Sequence, residues 1–468
     1  MKDMVRQIYE QVASQKMSPA QAKEMLLKLR REESGKNPAF ELLPVQKCFF
    51  SKNFTDMKHW NESISIYSKD RLDAEVMRRV IKKLMNHHDA LRLVFRNEDG
   101  KYIQCFKNLE EFSEVLSVFE IDEDCDINQY VLKEAQRIHS FMELEEGPLI
   151  KFAIFRTRDG DYFFMAVHHL ITDGLSLEII MEDIGTGYLQ DKTGAEIDFG
   201  SKTTDFMQWA EFINRYALGG DILNETEYWD AVESTSIQRL PRDFETSDIK
   251  LENNAELYFD MMGEEETKKL IRDCCNTYKA NVESILLSAL GTALERWGGM
   301  ENTCVRLCGN GRDLPFSPYN IFRTIGWISI SYPFVIQMEK GTDHRHRIEK
   351  LKDSFSQIPN KGAGYDILRF ITLPQKYPEK SYALEPEIFF NYMGFIGGTG
   401  IGALSLSDID TGPAKSLNSQ REYVFVIEVM VVSGKLRLRL IYNRKEYRKS
   451  TIDALANQYA RALAEFLD

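Results

Sequence analysis

A mixed α/β fold of two lobes, preceded by a helical extension, is what the sequence predicts, on three observations. The chain has 468 residues, more than one ordinary core accommodates. Runs of strand character such as Tyr162-Phe163-Phe164 are followed by helical spacings such as Leu177, Ile180, Met181 and Ile184. A polar stretch, 190–201, interrupts these apolar patterns. We therefore expect a helical linker or docking-like extension over 1–35, an N-terminal lobe over 36–190 and a C-terminal lobe over 191–468.

In the extension, Val5, Ile8, Tyr9 and Val12 form one apolar stripe, and Ala22, Met25, Leu26 and Leu29 another. Ser18-Pro19 supplies a cap and a first-turn proline for the second helix. Gly35 and Pro38 end the pattern. Further on, Val76, Val80, Leu84 and Met85 share a helix face that runs into His87 and His88, where histidines at a helix end pack or cap. Leu91–Phe95 and Tyr102–Phe106 flank Asp99-Gly100, which predicts a hairpin. Val282, Ile285, Leu286, Ala289, Leu290 and Leu294 predict a core helix ending at Trp297-Gly298-Gly299.

The formal net charge of -13 disfavours a nucleic-acid partner. No apolar run is long enough to span a bilayer, and Met1–Arg6 lacks a signal-peptide core, so a cytoplasmic location is expected. The seven cysteines show no disulfide framework or metal-ligand spacing, and no metal is expected. No phosphate-cradling loop is evident; the run Gly397-Gly398-Thr399-Gly400 follows a strand without the helix such a loop needs.

The richest stretch is Met165-Ala-Val-His168-His169-Leu-Ile-Thr-Asp173-Gly174-Leu-Ser176. A strand delivers two adjacent histidines to a loop that glycine closes before a helix, with Ser176 the expected cap. Neighbouring side chains at a strand end point to opposite sides, so one histidine faces a cavity and the other is structural. Imidazole exchanges protons near neutral pH, which makes the first a candidate general base.

His168-His169-x-x-x-Asp173-Gly174 resembles the active-site motif of the condensation and epimerization domains of nonribosomal peptide synthetases, relatives of chloramphenicol acetyltransferase. Pro44–Phe50 and His59-Trp60-Asn61 resemble the opening of epimerization domains. Leu307–Asp313, Arg323–Pro333, Pro359–Arg369 and Glu387–Gly394 resemble later epimerization motifs, in order, so the resemblance covers about Leu42 to Asp468. It implies two chloramphenicol-acetyltransferase-like lobes in a V with a tunnel at their junction. His169 would be catalytic, with His168, Asp173, Gly174 and Arg92 supporting it. An Arg92–Asp173 salt bridge is implied, whose breaking would cost about 3–5 kcal/mol. Asn310, Trp327, Asn391 and Tyr392 would line the tunnel. No cofactor would be bound; phosphopantetheine would arrive on a carrier protein, the implied partner together with other assembly-line modules.

There is one departure. Where active epimerization domains carry Glu-Gly-His-Gly-Arg-Glu, this chain has Cys308-Gly309-Asn310-Gly311-Arg312-Asp313. The missing first Glu is the acid/base group opposite the catalytic His. Inverting an α-carbon removes a proton from one face and delivers one to the other, so two groups are needed. Cys308 is the candidate for the second and Asp313 a fallback. Three functions follow: an epimerase using His169 and Cys308, an acyltransferase forming an amide or ester with His169 alone, or a degenerate domain that binds a carrier protein without catalysis.

Overall fold

The computed structural model describes residues 38–467 except 113, 141, 340 and 397–404, and of the first 37 only Ile8, Gln11, Ser14, Met17 and Ala22. Apart from those five, the expected N-terminal helices, and with them the glycine run from Gly397, lie outside the described residues.

In the first lobe, strands β1 (Asn61–Ser68), β2 (Leu93–Glu98), β3 (Lys101–Phe106), β4 (Leu116–Glu120), β5 (Ile150–Arg156) and β6 (Asp161–His168) alternate with helices α1 (Pro44–Ser51), α2 (Ala74–His87), α3 (Ile127–Ser140) and α4 (Gly174–Lys192). The expected hairpin is β2–β3, and both Asp99 and Gly100 at its turn have positive φ, the geometry that keeps strand twist across a two-residue loop. In α2, Asp73 caps the amides of Glu75 and Val76, and Val76, Val80 and Leu84 recur on the buried face that packs against α4. Full burial of each such side chain stabilises by roughly 1.5–3 kcal/mol.

The second lobe contributes β7 (Asn254–Met262), β8 (Asn302–Gly309), β9 (Ile330–Gln337), β10 (Ile388–Ile396), β11 (Ser405–Leu406), β12 (Phe425–Val432) and β13 (Lys435–Asn443). Its helices include α5 (Phe206–Ala217), α6 (Val282–Gly298), α7 (His344–Ser356) and α8 (Lys449–Ala464). The six-stranded sheet has the order β7-β13-β12-β10-β8-β9, with β10 parallel to both neighbours. In β13, Leu436, Leu438 and Leu440 are buried, while the alternating Arg437 and Arg439 pair with Asp260, Glu256 and Glu428. α6 is buried without interruption from Ser284 to Leu294 between α7 and α8, and Gly299 ends it with φ 67°.

The first sheet has the order β11-β1-β6-β5-β4, so its edge strand comes from the sequence expected to form the second lobe alone. β6 lies at its centre and reads as a continuous apolar run, as a strand covered on both faces must. Beyond β11 the chain keeps pairing with β1: Ala414 accepts from the Asn61 amide, and Lys415 lies over the Trp60 ring at 4.5 Å. Buried apolar side chains of both lobes form one cluster. The two lobes therefore share an edge strand and a buried apolar cluster.

Candidate functional site at the junction of the two sheets

β6 ends at His168, and the following turn separates the two imidazoles. His168 is fully buried; its Nδ1 accepts from the Leu170 amide at 3.1 Å and its Nε2 donates to the Met57 carbonyl at 2.8 Å. Both nitrogens are used by the neutral ring, and burial lowers its pKa to about 3. Two backbone partners thus hold the His168 ring in place.

His169 turns the other way. Its Nδ1 lies 2.9 Å from the Thr172 carbonyl and must donate to it, which leaves the Nε2 lone pair unprotonated in the neutral ring. Nε2 is 3.5 Å from Glu62 Oε1, on the neighbouring strand β1. The ring lies against the Trp327 indole with centroids 4.2 Å apart. A fixed tautomer, a free basic nitrogen and a carboxylate able to stabilise the imidazolium are what proton exchange requires. Glu62 sits inside the His-Trp-Asn-Glu stretch, but only strand register shows that it adjoins the histidine.

Asp173 is the hub of the loop. It caps α4 by accepting from the Ser176 amide at 2.9 Å, so the cap is Asp173 rather than the expected Ser176. Ser176 instead donates its amide, and its hydroxyl lies 2.7 Å from the same carboxylate. Asp173 also accepts from the Ile328 and Ser329 amides and from both terminal nitrogens of Arg312, at 2.9 and 3.0 Å. Asp173 and Arg312 are both buried.

The expected Arg92–Asp173 bridge is thus corrected. Arg92 is occupied locally, by Asp89 at 2.6 Å and by the Met85 and Lys107 carbonyls. Asp89, three residues before Arg92, captures its guanidinium before it can reach the loop. Arg312, 139 residues from Asp173 in sequence, takes the place and binds the first lobe's loop to the second. Gly326 completes this seam. Its amide and carbonyl meet the Ser176 hydroxyl, its φ is 150°, and a Cβ there would stand 2.3 Å from the Phe206 ring of α5. Trp327 follows directly.

A second tie joins the lobes nearby: Arg323 pairs with Glu182 and Asp183, and within the first lobe His88 contacts Asp183 at 2.6 Å. His88 is thereby structural, as read from its position at a helix end.

On the second lobe, Cys308 lies beside Asn391 on the adjacent strand, its thiol donating to Asn391 Oδ1 at 3.4 Å. Burial pushes that thiol up to about 12, so it remains protonated and is a weak acid. Asn310 is exposed, and its side-chain oxygen accepts from the Arg312 amide within its own turn. Asp313 pairs with Lys361. Tyr392 is a correction: strand alternation turns it from Asn391 to the helix-covered face, where it pairs in register with buried Val429. Behind Cys308, Arg306 and Asp366 form a buried ion pair at 2.6 Å, joined by Ser331. No group of His, Cys, Asp and Glu suited to hold a metal occurs among the described residues, and no described helix is long and apolar enough to cross a membrane.

A histidine with one nitrogen tied down and the other beside a carboxylate thus lies at the seam of two mixed sheets. The chain belongs to the condensation domain family, whose model matches residues 37–468. It is 35% identical over 429 residues to tyrocidine synthase 2 of Brevibacillus parabrevis, covering 91% of this chain and 12% of that protein. It is 33% identical over 450 residues to gramicidin S synthase 1 of Brevibacillus brevis, covering 94% of this chain and 41% of that protein. The chain therefore spans well under half the length of these curated relatives. Among solved structures, the epimerization domain from the third module of tyrocidine synthetase B matches with a TM-score of 0.86 at 35% identity, covering 92% of this chain and 97% of that one. The starter condensation domain of rhizomide synthetase shares the fold, with a TM-score of 0.68 at 14% identity and coverage of 92% and 96%. The expected fold of chloramphenicol-acetyltransferase type is the observed one.

Proposed function

We propose that this chain is an epimerization domain acting on an aminoacyl or peptidyl thioester that a carrier protein presents on its phosphopantetheine arm. The observation that carries this reading is His169: Nδ1 donates to the Thr172 carbonyl, and Nε2 keeps its lone pair beside Glu62. The thioester carbonyl acidifies the α-proton. Nε2 removes that proton, leaving an enolate, and Glu62 stabilises the imidazolium that results. A proton delivered to the opposite face inverts the centre; one delivered to the same face restores it. Trp327 fixes the plane of the ring throughout. Identity of 35% to an epimerization domain along nearly the whole chain, against 14% to a starter condensation domain, supports this branch of the family. The relatives' length supports a place within a larger assembly line, with carrier protein and further modules as partners.

One observation favours a second reading. Cys308 stands where the second acid/base carboxylate is expected, and its raised pKa unsuits it for that work. Acyl transfer to an amine or hydroxyl needs only His169. Chiral analysis decides between them: L- and D-aminoacyl carrier thioesters are incubated separately with the protein, then hydrolysed. Convergence of both on one D/L ratio supports epimerization. Retained configuration, with amide or ester formed on an added nucleophile, would establish acyl transfer instead.

A further inference from the structure

We propose that Glu62 receives the free α-ammonium of the substrate, so that this chain takes an aminoacyl thioester in preference to a peptidyl or other N-acylated one, an inference that rests on the epimerase reading. The His169 amide donates to the Trp60 carbonyl at 2.9 Å, and β1 then pairs with β6 without a break, from Asn61 opposite His168 to Ser68 opposite Asp161. That register sets Glu62 beside the histidine loop and brings its Oε1 to 3.5 Å from His169 Nε2. The two side chains are 38% and 20% exposed, so a ligand can reach both. Nδ1 is bound to Thr172 and one ring face lies on Trp327. The Nε2 lone pair lies in the ring plane, so the reacting carbon approaches along that edge, past the Glu62 carboxylate.

A carbon that gives its proton to Nε2 comes within about 3–3.5 Å of it. The substrate nitrogen is one bond of about 1.5 Å further on. From there it can reach a carboxylate that itself stands 3.5 Å from Nε2. Glu62 has the capacity to accept it: among the described residues neither of its oxygens makes a hydrogen bond, and no cation but His169 pairs with it. The neighbouring charges are committed, Arg312 to Asp173, Arg306 to Asp366 and Lys361 to Asp313. With His169 neutral, the charge left uncompensated beside the base is therefore negative.

The charges balance only when the substrate amine is free. Nε2 takes the α-proton, the electron pair stays on the thioester as an enolate, and the ammonium keeps its protons. Imidazolium and ammonium then offset enolate and Glu62. With an N-acylated substrate the same step leaves one negative charge in excess, and the enolate forms beside an uncompensated carboxylate.

The test compares alanyl and N-acetylalanyl thioesters of one phosphopantetheinylated carrier protein, each enantiomer separately, by initial rates of α-deuterium exchange in deuterated water. The full chain should show a kcat/KM about ten- to a hundredfold higher for alanyl, the range of a hydrogen bond to a charged group. Glu62→Gln keeps the shape and removes the charge. It should slow both substrates, because the imidazolium loses its partner, but slow alanyl further, so that the ratio falls to within about threefold of unity. Equal rates or a preference for N-acetylalanyl in the unsubstituted protein would overturn the assignment. So would an unchanged ratio in Glu62→Gln, which marks a residue that acts through His169 alone or a site that excludes the acetyl group by its bulk. Absence of exchange from both substrates in the unsubstituted protein would remove the epimerase reading itself, and this assignment with it.

Discussion

His169 sits in a loop whose polar groups are all committed: His168 is locked by two backbone partners, and Asp173 is satisfied by amides, Ser176 and Arg312. Cys308, across the seam, has a single long contact to Asn391 and a thiol that burial makes unreactive. The first wall is built to hold one basic nitrogen in place, at the cost of two buried charges that need one another. The second wall commits its charges to one another, Arg306 to Asp366 and Arg439 to Glu428, and leaves Cys308 outside those pairs.

The difference can be broken from either side. His169→Ala should have the largest effect, lowering α-proton exchange on a carrier-bound thioester about a thousandfold or more, as measured by deuterium uptake. Next, Arg312→Ala or Asp173→Ala strands a buried partner. Each should cost about 3–5 kcal/mol in urea unfolding.

Acid should destabilise the fold through two buried histidines of the first lobe. His168 and His139 are buried with pKa values of about 3 and about 4, below the ordinary 6.5. Between those values the unfolded chain binds the extra protons, so their effect is absent above pH 6.5 and stability falls as pH drops below it. Between pH 7 and pH 5 each should cost about 2 kcal/mol, read from urea midpoints at the two pH values. The smallest effect is that of Cys308→Ala, expected to change inversion by less than about threefold; a loss as large as that of His169→Ala would return the second acid/base role to the thiol.

Much of the first wall was legible in the residues. Two histidines on successive strand positions must face opposite ways, and the resemblance named His169 as the functional one. Asp173 was readable as a holder of the loop, but its partner was not. Arg92 and Arg312 are both arginines in motif-like stretches, and what separates them is Asp89, which lies three residues from Arg92 and captures it. Such capture depends on rotamers and backbone, not on pattern. Tyr392 was misassigned because two adjacent strand residues, Asn391 and Tyr392, cannot line one surface, and register alone says which does. Glu62 escaped because a neighbouring strand brings it beside His169 from far along the chain. The edge strand β11 escaped for the same reason: a two-residue strand has no periodicity to read.

The most direct measurement is α-deuterium incorporation from deuterated water into L- and D-aminoacyl carrier thioesters, followed by mass spectrometry alongside chiral analysis. Expected is deuterium at the α-carbon of both enantiomers with convergence to one D/L ratio, both lost in His169→Ala. Retention of protium and configuration by the intact protein, with either thioester and with amide or ester formation on an added nucleophile, would contradict it.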